Sequence, residues 1–416
     1  MDAFALVAVL MSLVALAGWA NAMTLKLPHG VAMLLAGLIG ALIVFALEGL
    51  LPQWQVLNQI RRTVEGIDFA QTVTGYMLAF LLFAGAMQVD LSEFRKRWVS
   101  ITSLATLGVA GSIVIVGLGL YAIAQALGVD LPLAWALVFG ALISPTDPVA
   151  VLATVRHVRM SKALTAILQG EALFNDGVGI VAFTALLAIA TGSGDTNAGH
   201  AILAVVVEAA GGLALGMAAS WCVIRLMGTL DDFAVETSMS IALAMAVYAG
   251  AQALGLSGAI ATVGAGMLFG GHKAKAAMDG ETDDYLPKFW TLVDEILNAL
   301  LFLLLGVEVI AVPFYKHETG LILAAIPLVL VARFAVVLPW GAWYSAQHRE
   351  RGAIAIFGWG GLHGALSLAL ALSLPRGEER TVLLAVTYAV VAFSIAVQGL
   401  SFSPLVRWIA RAERKS

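Results

Sequence analysis

The sequence predicts an all-helical polytopic membrane protein with about thirteen transmembrane helices. Three observations carry this: 61% of the 416 residues are hydrophobic, only 12% are charged, and apolar runs recur from one end to the other. Soluble globular chains are nearer half apolar and a quarter charged. A run of about 20 apolar residues is long enough to cross the hydrocarbon core as a helix.

Counting apolar runs between polar breaks places spans near 3–22, 30–47, 69–89, 100–127, 131–155, 163–192, 200–227, 233–254, 256–271, 289–312, 319–346, 353–374 and 381–406. The first is read as a retained span, because Met1-Asp2 offers no basic region of the kind that opens a signal peptide. The longest polar connection, 272–288, is read as a loop. No soluble domain and no nucleic-acid partner are expected. The single cysteine, Cys222, excludes an internal disulfide and a paired-thiol metal site.

Lysine and arginine set the expected orientation. Of 23 such residues, 17 fall in loops after odd-numbered spans or in the C-terminal tail, 5 in loops after even-numbered spans, and Arg333 lies within a span. The bias puts the N-terminus outside, the C-terminus in the cytoplasm, and supports an odd number of spans.

Ionisable residues inside spans are functional candidates, because each must be paired or is costly in lipid. The deep ones are Asp147, Glu171, Asp176, Glu208, Asp294, Glu295 and Arg333. Asp147 lies in ISPTDPVAV (143–151), bracketed by Pro145 and Pro148. Two prolines three residues apart remove two donors and disfavour helix at Ser144 and Asp147. The span is therefore expected to break there, and irregular backbone at membrane depth survives only in protein or around a cavity. A plain proline kink capped by an Asp is the blander reading. In span 12, four glycines fall within 358–364, a second expected break, although tight helix packing through small residues explains that stretch equally well. The pairing is more informative, since spans 5 and 12 are the middles of two three-span units. Matched interruptions of this kind point to an inverted-repeat transporter with a midplane site.

Span 6 supplies two acids in GEALFNDGVGIV (170–181). Arg333 is the deep permanent cation and neutralises one of them. The expected pair is Glu171–Arg333, a structural ion pair, which leaves Asp176 to exchange a proton for a cation. Asp294, Glu295 and Asn298 form a second polar cluster, read either as a vestibule or as a solvated helix end. Glu208 is read equally as a packing acid or an interface acid, and Glu236 and Glu308 as span-end residues for which snorkelling suffices.

Seven segments together resemble the monovalent cation:proton antiporter family that holds the NhaP-type and animal sodium/proton exchangers. They are FLLFAGAMQVDL (80–91), GALISPTDPVAV (140–151), GEALFNDGVGIV, SGAIATVGAGMLFG (257–270), FWTLVDEILNALLFLLLGVE (289–308), ARFAVVLP (332–339) and WGGLHGALSLALALSLP (359–375). The resemblance implies two broken, crossing helices, a homodimer, an ion-transport core near 100–192 and 319–406, and dimerisation helices near 1–89 and 200–312. It implies Asp176 as the shared cation and proton carboxylate. Asn175, Thr146 and Asp147 complete the implied cation- and proton-binding set and shape the crossing, with Na⁺ at Asp176 and Thr146. The Asn175-Asp176 pair resembles that of members exchanging one cation for one proton. No cofactor is expected beyond the transported Na⁺, Li⁺ or K⁺ and H⁺.

Two positions depart from the family pattern. Ala172 stands where a serine is usual, and His363 where an arginine is usual. The first keeps K⁺ open as the alternative cation. The second makes a permanent charge conditional and His363 a candidate for pH-linked behaviour. An intramembrane aspartyl hydrolase using Asp147 and Asp176 is the reading from a different class. The prolines and Asn175 fit ion coordination better. A channel is disfavoured, because nothing resembles a repeated selectivity filter.

Overall fold

The structure, a computed structural model, describes residues 3–50, 71–147, 161–192, 198–229, 232–271, 280–310, 318–348 and 352–413. Among them the chain is helical throughout, without strands. Helices α1 (Ala3–Met23), α2 (His29–Leu50) and α3 (Leu78–Met87) come first, α3 led by a π-helical segment at Thr72–Met77. A second π segment, Leu104–Gly108, joins α4 (Leu91–Ser103) to α5 (Val109–Leu127). Then follow α6 (Leu133–Ile143), α7 (Lys162–Ala190), α8 (Ala198–Met227), α9 (Phe233–Ala253), α10 (Gly258–Phe269), α11 (Gly280–Glu308) and α12 (Thr319–His348). The chain closes with α13 (Ala353–Trp359), α14 (Ala365–Leu372), α15 (Glu378–Phe393) and, after a π segment at Ser394–Gln398, α16 (Gly399–Glu413).

Helix occupies each of the thirteen expected spans. Nine of the described helical stretches are long and apolar enough to cross a membrane, and α3, α6 and α10 are shorter apolar helices. Local chemistry sets the ends. The side chains of Asp90, Ser161, Asp232 and Ser257 cap the starts of α4, α7, α9 and α10. Gly128 ends α5 at φ +70°, a conformation that favours glycine.

Both expected interruptions fall where backbone leaves the helix. α6 stops at Ile143 and residues 144–147 are irregular, while Pro148 lies outside the described residues. Residues 360–364 separate α13 from α14. Each interrupted stretch packs between its chain neighbours: α6 between α5 and α7, and α13–α14 between α12 and α15. The two units start seven spans apart, an odd number, so they run in opposite directions through the bilayer. They form inverted repeats.

Against the outer side of these units stand helices packed by small residues and aromatics. α2 and α11 cross so closely that a Cβ on Gly306 would lie 2.5 Å from the Leu34 carbonyl oxygen. Close backbone approach of this kind is how helices associate where lipid removes any hydrophobic drive. Phe83 of α3, Phe269 of α10 and Trp290 of α11 meet at ring distances of 4.7–5.6 Å, and the Trp290 indole donates to Ser240 Oγ of α9 at 3.1 Å.

Three sequence readings change. The stretch 272–288 is not loop throughout, because α11 starts at Gly280. Within that helix Lys288 pairs with Asp284 one turn away at 2.7 Å. Helix also reaches back to Leu91, so Arg95, Lys96 and Arg97 ride on α4. Glu236 and Glu308 do not snorkel: they are 0% and 7% exposed. Glu236 precedes Ser240 by one turn and shares the face that packs on Trp290, so its carboxylate is turned inward. Among the described residues neither of its oxygens has a hydrogen-bond partner. Of the basic residues that set the orientation, Arg61, Arg62, Arg156, Arg159, Lys273, Lys275, Lys316, Arg349, Arg351, Arg414 and Lys415 lie outside the described residues.

Candidate functional site

The two irregular stretches meet. The Asp147 N–H donates to the Leu362 carbonyl at 2.6 Å, and the His363 N–H donates to Ser394 Oγ at 2.9 Å. His363 Nδ1 lies 3.3 Å from the Pro145 carbonyl oxygen. A carbonyl only accepts, so this ring nitrogen carries the proton. Gly364 lets the crossing close: a Cβ there would stand 2.6 Å from Asp147 Oδ2.

Asn175, on α7, is buried against the first break. Its Nδ2 donates to Thr146 Oγ1 at 2.7 Å, and its Oδ1 faces the Thr146 N–H at 3.5 Å. One amide thus addresses both the side chain and the backbone of Thr146. Ser144 Oγ donates to the Ala141 carbonyl at 2.8 Å, satisfying an acceptor freed at the end of α6.

Glu171 and Arg333 form a two-pronged ion pair, Nη1–Oε1 at 2.5 Å and Nη2–Oε2 at 3.0 Å, with Glu171 2% exposed. Arg333 Nε also donates to the Phe357 carbonyl at 3.1 Å. Gln398 Nε2 donates to the Trp359 carbonyl at 3.2 Å. Two acceptors left open where α13 ends are therefore met by α12 and the π segment after α15.

Asp176 stands one helical turn beyond Ala172 and opens on a cavity of about 420 Å³. Among the described residues it has no hydrogen-bond or ion-pair partner. Thr146, Asp147, His363 and Ser367 line the same cavity, as do Asp294, Glu295 and Asn298 of α11. Asn298 Nδ2 donates to Asp294 Oδ1 at 2.9 Å. Four carboxylates and no lysine or arginine line this space among the described residues. A concave, low-dielectric site of one charge sign concentrates ions of the other sign.

The structure thus brings Thr146, Asp147, Asp176 and His363 to one cavity and sets Asn175, Glu171 and Arg333 directly behind it. The α11 acids line a vestibule rather than a solvated helix end. Glu208 lies elsewhere, on α8, and lines none of this space. Sequence reasoning missed His29, Gln88 and Gln169, which also line the cavity. It missed Ser394 as well, since no local pattern marks a serine that meets a distant break.

A family profile described as "Sodium/hydrogen exchanger, transmembrane" matches residues 10–408. The Na⁺/H⁺ antiporter NhaP of Pseudomonas aeruginosa is 40% identical over 414 residues, 97% of this chain and 96% of its own. The Na⁺/H⁺ antiporter NhaH of Halobacillus dabanensis is 32% identical, with 93% of each chain covered. The sodium proton antiporter MjNhaP1 of Methanocaldococcus jannaschii superposes with a TM-score of 0.73 at 17% identity, over 98% of this chain and 99% of that one. That last likeness is one of fold, and it extends to nearly every helix. With the profile spanning almost the whole length and relatives matched end to end, the chain belongs to the sodium/hydrogen exchanger family.

Proposed function

We propose that the protein is a secondary active antiporter that exchanges Na⁺, or Li⁺, for H⁺ across the cell membrane, one for one, by alternating access. One observation carries the reading. Of the two acids on α7, Glu171 is held by Arg333, whereas Asp176 faces an anionic cavity with no cation beside it among the described residues. A carboxylate so placed binds a proton or a metal ion, and the two compete. The named activities of the relatives, all Na⁺/H⁺ antiport, support the same reading.

Na⁺ is a hard ion that takes oxygen ligands. Asp176, the Thr146 hydroxyl and the carbonyls of the breaks supply them, and Asp147 and Asn175 hold the breaks in shape. Asn175 is neutral and Arg333 is already neutralised by Glu171. Trading one H⁺ for one Na⁺ at Asp176 then leaves the charge of the site unchanged. A K⁺-for-H⁺ exchanger with the same mechanism is the second reading. It is favoured by Ala172, whose methyl lines the cavity one turn before Asp176 where no hydroxyl is present.

The remaining parts follow the same frame. The core is α4–α7 with α12–α16, and it moves against α1–α3 and α8–α11. The assembly is a homodimer formed through α1 and α8, which carry exposed apolar faces such as Leu16, Trp19, Val206 and Trp221. The pH role expected of His363 rests on its place in the crossing, where Arg333, Glu171, Asp147 and Asp176 are the charged or titratable groups nearby. If His363→Gln and His363→Arg leave the pH–activity profile unmoved, that role is excluded.

The central test uses everted vesicles with a preset ΔpH, titrated with Na⁺, Li⁺ and K⁺. Wild type is expected to dissipate ΔpH on adding Na⁺, and Asp176→Asn is not. Absence of any cation response in wild type removes the antiport reading. A response that persists in Asp176→Asn removes Asp176 from its role.

A further inference from the structure

Behind the main cavity lies a second, much smaller polar chamber of about 10 Å³. Its polar lining is Ser112, Ser144, Thr146, Glu171, Asn175 and Arg333, with His363 closing one side. That volume has room for about one water molecule. Among the described residues, Thr146 and His363 line both spaces, while on the other side of the ion pair Thr146, Asp147 and Ala172 stand between the main cavity and a third small space. Neither Thr146 nor His363 is free to swing away. Thr146 is held by Asn175, and His363 is tied at its backbone to Ser394 and at its ring to the Pro145 carbonyl.

We propose that the His363 ring and the Thr146 side chain form a partition that keeps the transported cation out of this chamber and so off the side of the Glu171–Arg333 pair that faces Ser144. The inference deepens the antiport reading and rests on it. Glu171 is a carboxylate close behind the site, and an ion that reached it would compete with Arg333 for the same oxygens. A wall between the spaces leaves Asp176 and Asp147, not Glu171, as the acids a cavity ion meets at the crossing. The imidazole suits this position because its planar ring fills the gap while its Nδ1–H satisfies a carbonyl that the broken helix leaves open. His363 is thus a positioning residue, acting through the pair it shields.

Thiol accessibility tests the partition without requiring transport. In a Cys222→Ser background, Ser144→Cys places a thiol in the chamber, and Gln88→Cys places a control thiol in the main cavity. Vesicles are treated with the small reagent methanethiosulfonate ethylammonium. The chamber thiol is expected to be protected when His363 is present and to react much faster in His363→Ala. His363→Phe, which keeps a ring, is expected to preserve protection. The control thiol should react alike in all three, showing that each variant is folded with its cavity intact. Equal rates at the chamber thiol in His363 and His363→Ala overturn the proposal, as does a His363→Phe chamber as reactive as that of His363→Ala. Labelling as expected in a chain without cation-dependent ΔpH collapse would instead overturn the antiport reading and leave the partition in place.

Discussion

At the scale of single residues, the ion pair and the glycine of the crossing give the firmest expectations. Arg333 serves two partners, Glu171 and the Phe357 carbonyl. Arg333→Ala strands a buried carboxylate, a change that costs roughly 3–5 kcal/mol in buried pairs. It should appear as a clear drop in melting temperature of the detergent-solubilised protein. Arg333→Ala with Glu171→Gln should recover part of that loss, and no recovery would show that the pair is not the source. Gly364 is a different case, because it supports no charge and only permits contact. Gly364→Ala puts a methyl 2.6 Å from Asp147 Oδ2. Transport should fall sharply while the melting temperature moves little, since the strain is confined to two irregular segments. The sequence showed the acids and the lone deep arginine because charge in lipid is conspicuous. It did not show Gln169 or Ser394, whose polarity is ordinary and whose placement depends on the crossing.

Among the elements, helix ends offer a pH test outside the membrane. Asp90 caps α4, accepting from the Ser92 hydroxyl at 2.6 Å and from the Ser92 and Glu93 N–H groups. The Ser92 hydroxyl does most to hold its carboxyl below the usual carboxylate range; burial opposes this, and the Glu93 and Ser92 N–H groups and the Lys162 charge add to the lowering. The folded pKa is thus depressed. The cap stabilises the protein at pH above the unfolded value, and the gain disappears as pH falls through the folded one. Asp90→Ala should cost about 1 kcal/mol near neutral pH. Melting curves of the two proteins should converge in strong acid, and a constant gap would refute the assignment. Element existence was legible from apolar run length. Element phase was not, as Glu236 shows: distance from a span end does not say which way the side chain turns. The π segments at Thr72–Met77, Leu104–Gly108 and Ser394–Gln398 likewise leave no mark in composition.

For the whole molecule, the charge bias and the exposed apolar helices set the expected orientation and assembly. A protease-sensitive tag at the N-terminus should be cut from outside intact cells, and one at the C-terminus only in everted vesicles. The reverse pattern would invert the reading of the charge bias. In a dimer through α8, oxidation should cross-link the lone exposed cysteine, Cys222, or a thiol introduced beside it on α8. A monomer under every such placement would exclude that interface. The pairing of two interrupted spans was readable because proline and glycine act on backbone wherever they fall. Which spans meet at the crossing is a three-dimensional fact, and only the folded chain shows Asp147 at Leu362.

That contact runs from a main-chain N–H to a main-chain carbonyl. Every residue other than proline at 147, and every residue at 362, carries the required group. Side-chain scanning will pass over the bond, and sequences can drift at position 362 without losing it. Replacing the amide at 147 with a backbone ester, which deletes the one hydrogen involved, is the substitution that would weigh it.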